Sequence, residues 1–91
     1  MTIYKALTLA GSDSSGGAGL QADIKTFQER NVYGMSAITT LVAMDPHNHW
    51  HHQVFPIDID TIAAQLETIV VGVGIQAMKT GMLGSTEIIE L

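Results

Sequence analysis

Cysteine is absent from the 91 residues, which excludes disulfides, thiolate nucleophiles and cysteine-based zinc sites among them. Basic residues are scarce: four Lys and Arg stand against nine Asp and Glu, for a formal net charge of -5. Lys5, Lys25, Arg30 and Lys79 sit apart and form no patch that could meet phosphates, which argues against a nucleic-acid partner. Long apolar runs are missing too. The run from Ala6 to Ala10 and the triplet Ile69-Val70-Val71 are too short for a signal core or a membrane span. A soluble, cytoplasmic chain with no membrane partner is the expectation. No repeat, linker or low-complexity segment is visible.

What the sequence does contain is material for one small α/β domain. Apolar residues make up 46% of it, enough for a core, although a short chain buries a smaller share of its surface than a long one. Ala6-Leu7-Thr8-Leu9-Ala10 is hydrophobic on both faces and ends in Gly11, the pattern of a strand inside a covered parallel sheet. A loop of small residues follows, Gly11-Ser12-Asp13-Ser14-Ser15-Gly16-Gly17. From Ala18 the period changes. Leu20, Ile24 and Phe27 fall at helical spacing with Gln21, Lys25, Gln28 and Glu29 opposite, predicting an amphipathic helix that ends near Asn31. A second strand is expected over residues 35–44, rich in β-branched Ile38, Thr39, Thr40 and Val42. Strand, helix and strand in this order make a βαβ unit with a right-handed crossover.

Beyond it lie an irregular polar stretch, 45–52, and the short apolar piece Gln53-Val54-Phe55. Pro56 with Asp58 or Asp60 introduces a second helix, whose core face would be Ile62, Leu66, Ile69 and Val70. A third strand is predicted over 75–78, after Gly72 and Gly74, and it leads into Lys79-Thr80-Gly81. Ser85 or Thr86 then caps a last short helix. Three strands with so few helices leave sheet surface uncovered. The expectation is therefore the front part of a larger α/β domain, cut off before its active site is complete.

Ligands of open parallel sheets bind beyond the carboxyl ends of the strands. Three segments fall there and should converge: the loop 11–19, the Met44-Asp45 exit with the histidine-rich stretch, and residues 79–82. Gly16, Gly17 and Gly19 allow close backbone approach and open onto a helix N-terminus. That fits either a cradle for an anionic or polar ligand or a tight strand-to-helix connection. It is not a Walker loop, because no Lys-Ser or Lys-Thr follows the last glycine. Gly17-Ala18-Gly19-Leu20-Gln21-Ala22 does fit the G-x-G-x-x-A dinucleotide fingerprint, with Asp45 where a ribose-binding acid would stand. Against it, the motif should open directly after the strand, whereas Gly17 lies well past Gly11, and Asp23 puts a carboxylate near the place of a pyrophosphate.

Asp23 is either an acid near a helix N-terminus or an acceptor aimed into the cleft. His47, His49, His51 and His52 match no standard zinc spacing. They read as an exposed polar flap with one histidine turned onto a ligand, and no metal site is expected. Trp50 would pack over a ring or against a partner subunit. Lys79 is either a solvated strand-end lysine or a charge directed at phosphate. Met44 and Met82, at two strand exits, form either an apolar slot for a planar ring or ordinary core.

The stretch from Ala10 to Gly19, with Gln21-Ala22-Asp23, Lys25-Thr26-Phe27, Tyr33-Gly34-Met35 and Lys79-Thr80-Gly81-Met82-Leu83, resembles one family from end to end. It is similar to the hydroxymethylpyrimidine and phosphomethylpyrimidine kinases of the ribokinase superfamily, and closest to their pyridoxal kinase branch. The discriminating segment is Val42-Ala43-Met44-Asp45-Pro46 with the flap from Trp50 to Pro56. Pyrimidine kinases of the family typically carry a glutamine in the place of Met44, which bonds the aminopyrimidine. Methionine cannot make that bond; a site built to hydrogen-bond a ligand discriminates against analogues lacking the group, so the replacement favours a vitamin B6 ring.

The resemblance implies a ribokinase-like fold, a parallel sheet flanked by helices on both faces, with residues 1–91 as the N-terminal part of a single kinase domain. It implies ATP- and Mg²⁺-dependent phosphorylation of a hydroxymethyl group on a vitamin B6 form, with hydroxymethylpyrimidine as the alternative substrate. Gly11, Asp23, Met44 and Met82 would surround the ring or its substituents, and His52 would reach it from the flap. The catalytic residues, the ATP motif and the cysteine lid belong to the family's C-terminal half, so these residues alone are expected to be inactive. Family members are commonly homodimers. Two other readings compete: a dinucleotide-binding domain of an oxidoreductase, resting on the glycine fingerprint, and a non-catalytic module that associates through uncovered sheet surface.

Overall fold

Alternation along the first strand decides the layering. Leu7 and Leu9 leave it on one side and join Ile62 and Ile69 in the buried core, with Met35, Ile57, Leu66 and Ile75 packed around them. Thr8 leaves it on the other side and meets Asp23 on a helix. The sheet is therefore covered on both faces, as the period-2 geometry of a doubly apolar strand requires. The computed structural model describes residues 3–81. In chain order its elements are β1 (Lys5–Asp13), α1 (Gly19–Glu29), β2 (Tyr33–Asp45), β3 (His51–Pro56), α2 (Ile59–Leu66) and β4 (Ala77–Thr80).

The strand order is β3-β2-β1-β4. β1 pairs in parallel with β2 and with β4, whereas β3 returns antiparallel along β2. The sheet is thus mixed: the parallel core expected from the βαβ pattern is present, and an antiparallel edge is added to it. The expected polar stretch and apolar piece turn out to be the tip and return strand of a β2–β3 hairpin. In its tip His49 and Trp50 adopt φ of 52° and 58°, and Asp45 O accepts from both Asn48 N–H and Trp50 N–H.

The first helix follows the sequence pattern, although none of its residues is fully buried. Its N-cap residue, Ala18, has no side chain able to cap it. Asp58 is the N-cap of α2: its carboxylate accepts from Thr61 N–H at 3.0 Å and Thr61 Oγ1 at 2.6 Å. α2 passes into a π-helical segment, Glu67–Val73. The wider i→i+5 winding rotates the side chains off the stripe expected of a regular helix. Ile69 stays buried, but Val70 is exposed rather than part of the core. The third strand begins two residues later than expected, because Ile75 packs into the core from the preceding loop.

Gln65 completes the sheet where β3 does not reach. Its Oε1 accepts from Ile38 N–H at 2.8 Å and its Nε2 donates to Ile38 O at 3.0 Å, so one side-chain amide stands in for a neighbouring strand. The expected last helix, its cap at Ser85 or Thr86, and Met82 lie outside the described residues.

Candidate functional site

A cleft of about 310 Å³ opens on the α1 face of the sheet, at the carboxyl ends of β1, β2 and β4. Ala10, Gly11 and Asp13 line it from β1, and Val42 and Met44 from β2. Ala18 and Gly19 border it where α1 begins, His52 from β3, and Lys79 and Gly81 from β4 and just beyond it. The three segments expected to converge do so. Gly11 leaves little room for a side chain: a Cβ there would lie 3.0 Å from Thr40 Cγ2, which would have to give way. The pairing of β1 with β2 is irregular between Ala10 and Ser12. That bulge shifts the register by one residue, so Asp13 rather than Ser14 stands opposite Val42 and shares the cleft with it.

Asp13 organises the glycine loop. One carboxylate oxygen accepts from Ser15 N–H at 2.9 Å and Ser15 Oγ at 2.8 Å, and the other accepts from Ala18 N–H at 2.9 Å. The Ser15 hydroxyl and amide bonds hold its carboxyl below the usual carboxylate range. Gln21 accepts from Asp13 N–H and donates to Ser12 Oγ, which ties the loop to α1, and Lys25 Nζ closes it by donating to Gly16 O at 3.0 Å. Gly19, at φ 62°, lies against Gly11 O, where a side chain would collide. Of the two readings of this loop, the geometry carries the tight connection. A carboxylate occupies the helix N-terminus where a pyrophosphate would bind, which removes the basis of the dinucleotide reading. Sequence inspection passed over Asp13; its signal was Asp followed two residues later by Ser, the pattern of a side-chain-closed turn.

Asp23 lies past the first turn of α1, so the helix-terminus reading does not describe it. Its Oδ2 accepts from Thr8 Oγ1 at 2.7 Å and Lys79 Nζ at 2.9 Å, and its Oδ1 accepts from Lys79 Nζ at 3.1 Å. Burial by itself would raise its pKa. The bonds from Thr8 and Lys79, with the Lys79 charge, outweigh that and hold the carboxyl below the ordinary value. Lys79 is neither merely solvated nor free to seek phosphate: it borders the cleft as half of an ion pair.

Met44 and His52 stand opposite each other across the β2–β3 ladder, and both reach the cleft. Trp50 is 63% exposed at the hairpin tip and takes no part in lining it. Gly11, Met44 and His52 are thus brought together, Asp23 is joined to them through Lys79, and Met82 follows directly on a cleft residue, Gly81.

The family model described as phosphomethylpyrimidine kinase matches residues 13–91. The chain belongs to the phosphomethylpyrimidine kinase family. It is 71% identical over its whole length to the pyridoxine kinase of Bacillus subtilis, covering 34% of that protein. It is 51% identical over 90 residues to the hydroxymethylpyrimidine/phosphomethylpyrimidine kinase of the same organism, covering 99% of this chain and 32% of the relative. Among solved structures it matches the pyridoxal kinase from Staphylococcus aureus in complex with AMP-PCP and pyridoxal. There the TM-score is 0.92 at 53% identity, with 98% of this chain and 32% of that one covered. The chain therefore spans about a third of the length of the family members it matches.

Proposed function

We infer that this chain supplies the ring-binding side of a kinase that transfers a phosphoryl group from ATP to the hydroxymethyl group of a vitamin B6 form. The observation that carries the reading is Met44, placed at the cleft and opposite His52. A thioether offers no partner for an aminopyrimidine, and a buried amine left unpaired costs roughly 1–3 kcal/mol. A pyridine ring with apolar and hydroxyl substituents asks for no such bond. The higher identity to the pyridoxine kinase than to the pyrimidine kinase points the same way. Phosphorylation of hydroxymethylpyrimidine is the second reading, favoured by the family model itself.

In this reading Gly11 lets the ring lie close against β1, Met44 packs on its face and His52 reaches it from the hairpin. Lys79, paired with Asp23, forms the polar edge. Transfer then depends on holding the hydroxyl in line and on countering charge at the phosphoryl group. Residues 1–91 act as the N-terminal part of one kinase domain and alone turn over neither substrate. Mg²⁺ accompanies ATP in such reactions, but among the described residues no three His, Asp or Glu groups come together to hold a metal ion, and no step is assigned to one. A cytoplasmic homodimer belongs to the same proposal; among the described residues, no helix is long and apolar enough to cross a membrane.

The test is a coupled ATP-consumption assay on the protein expressed from its complete reading frame, with pyridoxal and hydroxymethylpyrimidine offered separately. Turnover of pyridoxal is expected. Turnover of the pyrimidine alone would overturn the substrate choice, and turnover of neither would overturn the kinase reading.

A further inference from the structure

Thr8 places a buried hydroxyl in the middle of the best-covered strand. Valine would fill that place with nearly the same shape and a higher affinity for a sheet interior, and without a polar group to satisfy. The Thr8 hydroxyl has one acceptor, Asp23 Oδ2 at 2.7 Å, the same oxygen that takes Lys79 Nζ at 2.9 Å. Thr8 also stands opposite Lys79 in the β1–β4 register, so both side chains leave the sheet on the face that α1 covers. Three elements thus meet at one carboxylate: β1 through Thr8, α1 through Asp23 and β4 through Lys79. Of the side chains of Thr8, Asp23 and Lys79, it is that of Lys79 that borders the cleft.

We propose that Thr8 is a positioning residue, fixing the Asp23 carboxylate so that the Lys79 ammonium is held at the cleft wall to meet the polar substituents of the substrate ring. The proposal rests on the kinase reading for its substrate but not for its geometry. Without the hydroxyl, the bonds left to Asp23 among the described residues are those to a lysine whose side chain is 52% exposed, and the pair is free to swing along the wall. Among the described residues, no other charged group replaces it. Lys25, on the same helix, is engaged at Gly16 O. β1 carries its charged residues at its ends, Lys5 and Asp13, and the titratable groups of β2 are Tyr33 and Asp45, also at its ends.

Wild type, Thr8→Val and Thr8→Ser are compared in the protein expressed from its complete reading frame, with Thr8→Ala in reserve should the valine variant not fold. Thr8→Val is expected to raise the KM for pyridoxal about tenfold, the scale of a lost bond to a charged group, while the KM for ATP stays unchanged and Thr8→Ser recovers the wild-type value. Equal rises in both KM values, or no recovery with serine, would reduce Thr8 to a packing residue and overturn the proposal. A carboxyl-carbon NMR titration runs beside the kinetics: Asp23 should titrate higher in Thr8→Val than in wild type or Thr8→Ser. If wild type turns over no ring substrate, the kinase reading fails and the titration alone judges Thr8. An Asp23 that titrates identically in Thr8→Val and wild type overturns its positioning role whatever the turnover.

Discussion

β1 is flanked by parallel partners on both sides and buried from Ala6 to Gly11, whereas β3 has a single antiparallel partner and no buried residue. The two strands lie in one sheet and both reach the cleft, but they reach it differently. β1 presents backbone and small side chains at a fixed place, held by the bulge at Gly11 and the bonds around Asp13. β3 presents His52 on a hairpin with Val54 and Phe55 half exposed and a tip in which two successive non-glycine residues take positive φ. Burial is concentrated on the β1 wall of the cleft, and exposure on the hairpin that borders it.

Substitutions should separate the two regions sharply. Ile62→Ala, in the core against which β1 packs, is expected to destabilise by about 2–5 kcal/mol in urea unfolding, whereas Val54→Ala on β3 should stay within about 0.5 kcal/mol. A comparable loss at Val54 would show that the hairpin is a folded part of the core in solution.

Gly19→Ala tests the start of α1. A left-handed backbone costs a non-glycine residue about 1–2 kcal/mol, and the collision with Gly11 O adds to it. Loss of stability should therefore exceed that of Gly72→Ala, where the added Cβ meets only Glu67 O at 4.0 Å.

Two buried threonines sharpen the comparison further. Thr8 has Asp23 as its acceptor, whereas Thr40 Oγ1 is buried with no hydrogen-bond partner among the described residues. Thr40→Val should stabilise by about 1 kcal/mol, and Thr8→Val should not. Thermal unfolding of the pair decides this, and a destabilised Thr40→Val would mean that its hydroxyl is satisfied in solution.

A small effect is expected from the ion pair. Lys79 is half exposed, so Lys79→Met should cost at most about 1 kcal/mol. Its signature is in pH dependence. Asp23 is held below the ordinary aspartate value of 3.8, so its contribution is present above that pH and is lost as pH falls through the lowered value. Asp23→Asn should flatten this acid limb in stability measured against pH.

Legibility in the sequence followed the same division. Where one period runs the length of an element, as in β1, α1 and β2, the hydrophobic pattern marks it to within a few positions. β3 escaped because a strand exposed on every residue carries no alternation to read. Val70 was misplaced because a helical period was extended into a segment that winds more widely. Ile75 is an apolar residue that serves the core from a loop.

The cleft residues at the strand exits, Gly11, Met44 and His52, could be named from the sequence and its family resemblance. The residues that act on one another across the fold could not: Asp13 facing the cleft depends on a one-residue bulge, and the joining of Thr8, Asp23 and Lys79 depends on strand register. The βαβ order, the apolar faces and the loops that must meet at the strand ends were legible along the chain, because side-chain period and glycine placement are local properties. The antiparallel edge, the choice between an anion cradle and a closed loop, and the partner of Lys79 emerged with the folded chain. Those outcomes turn on which groups, distant along the chain, come within hydrogen-bonding reach once the sheet has formed.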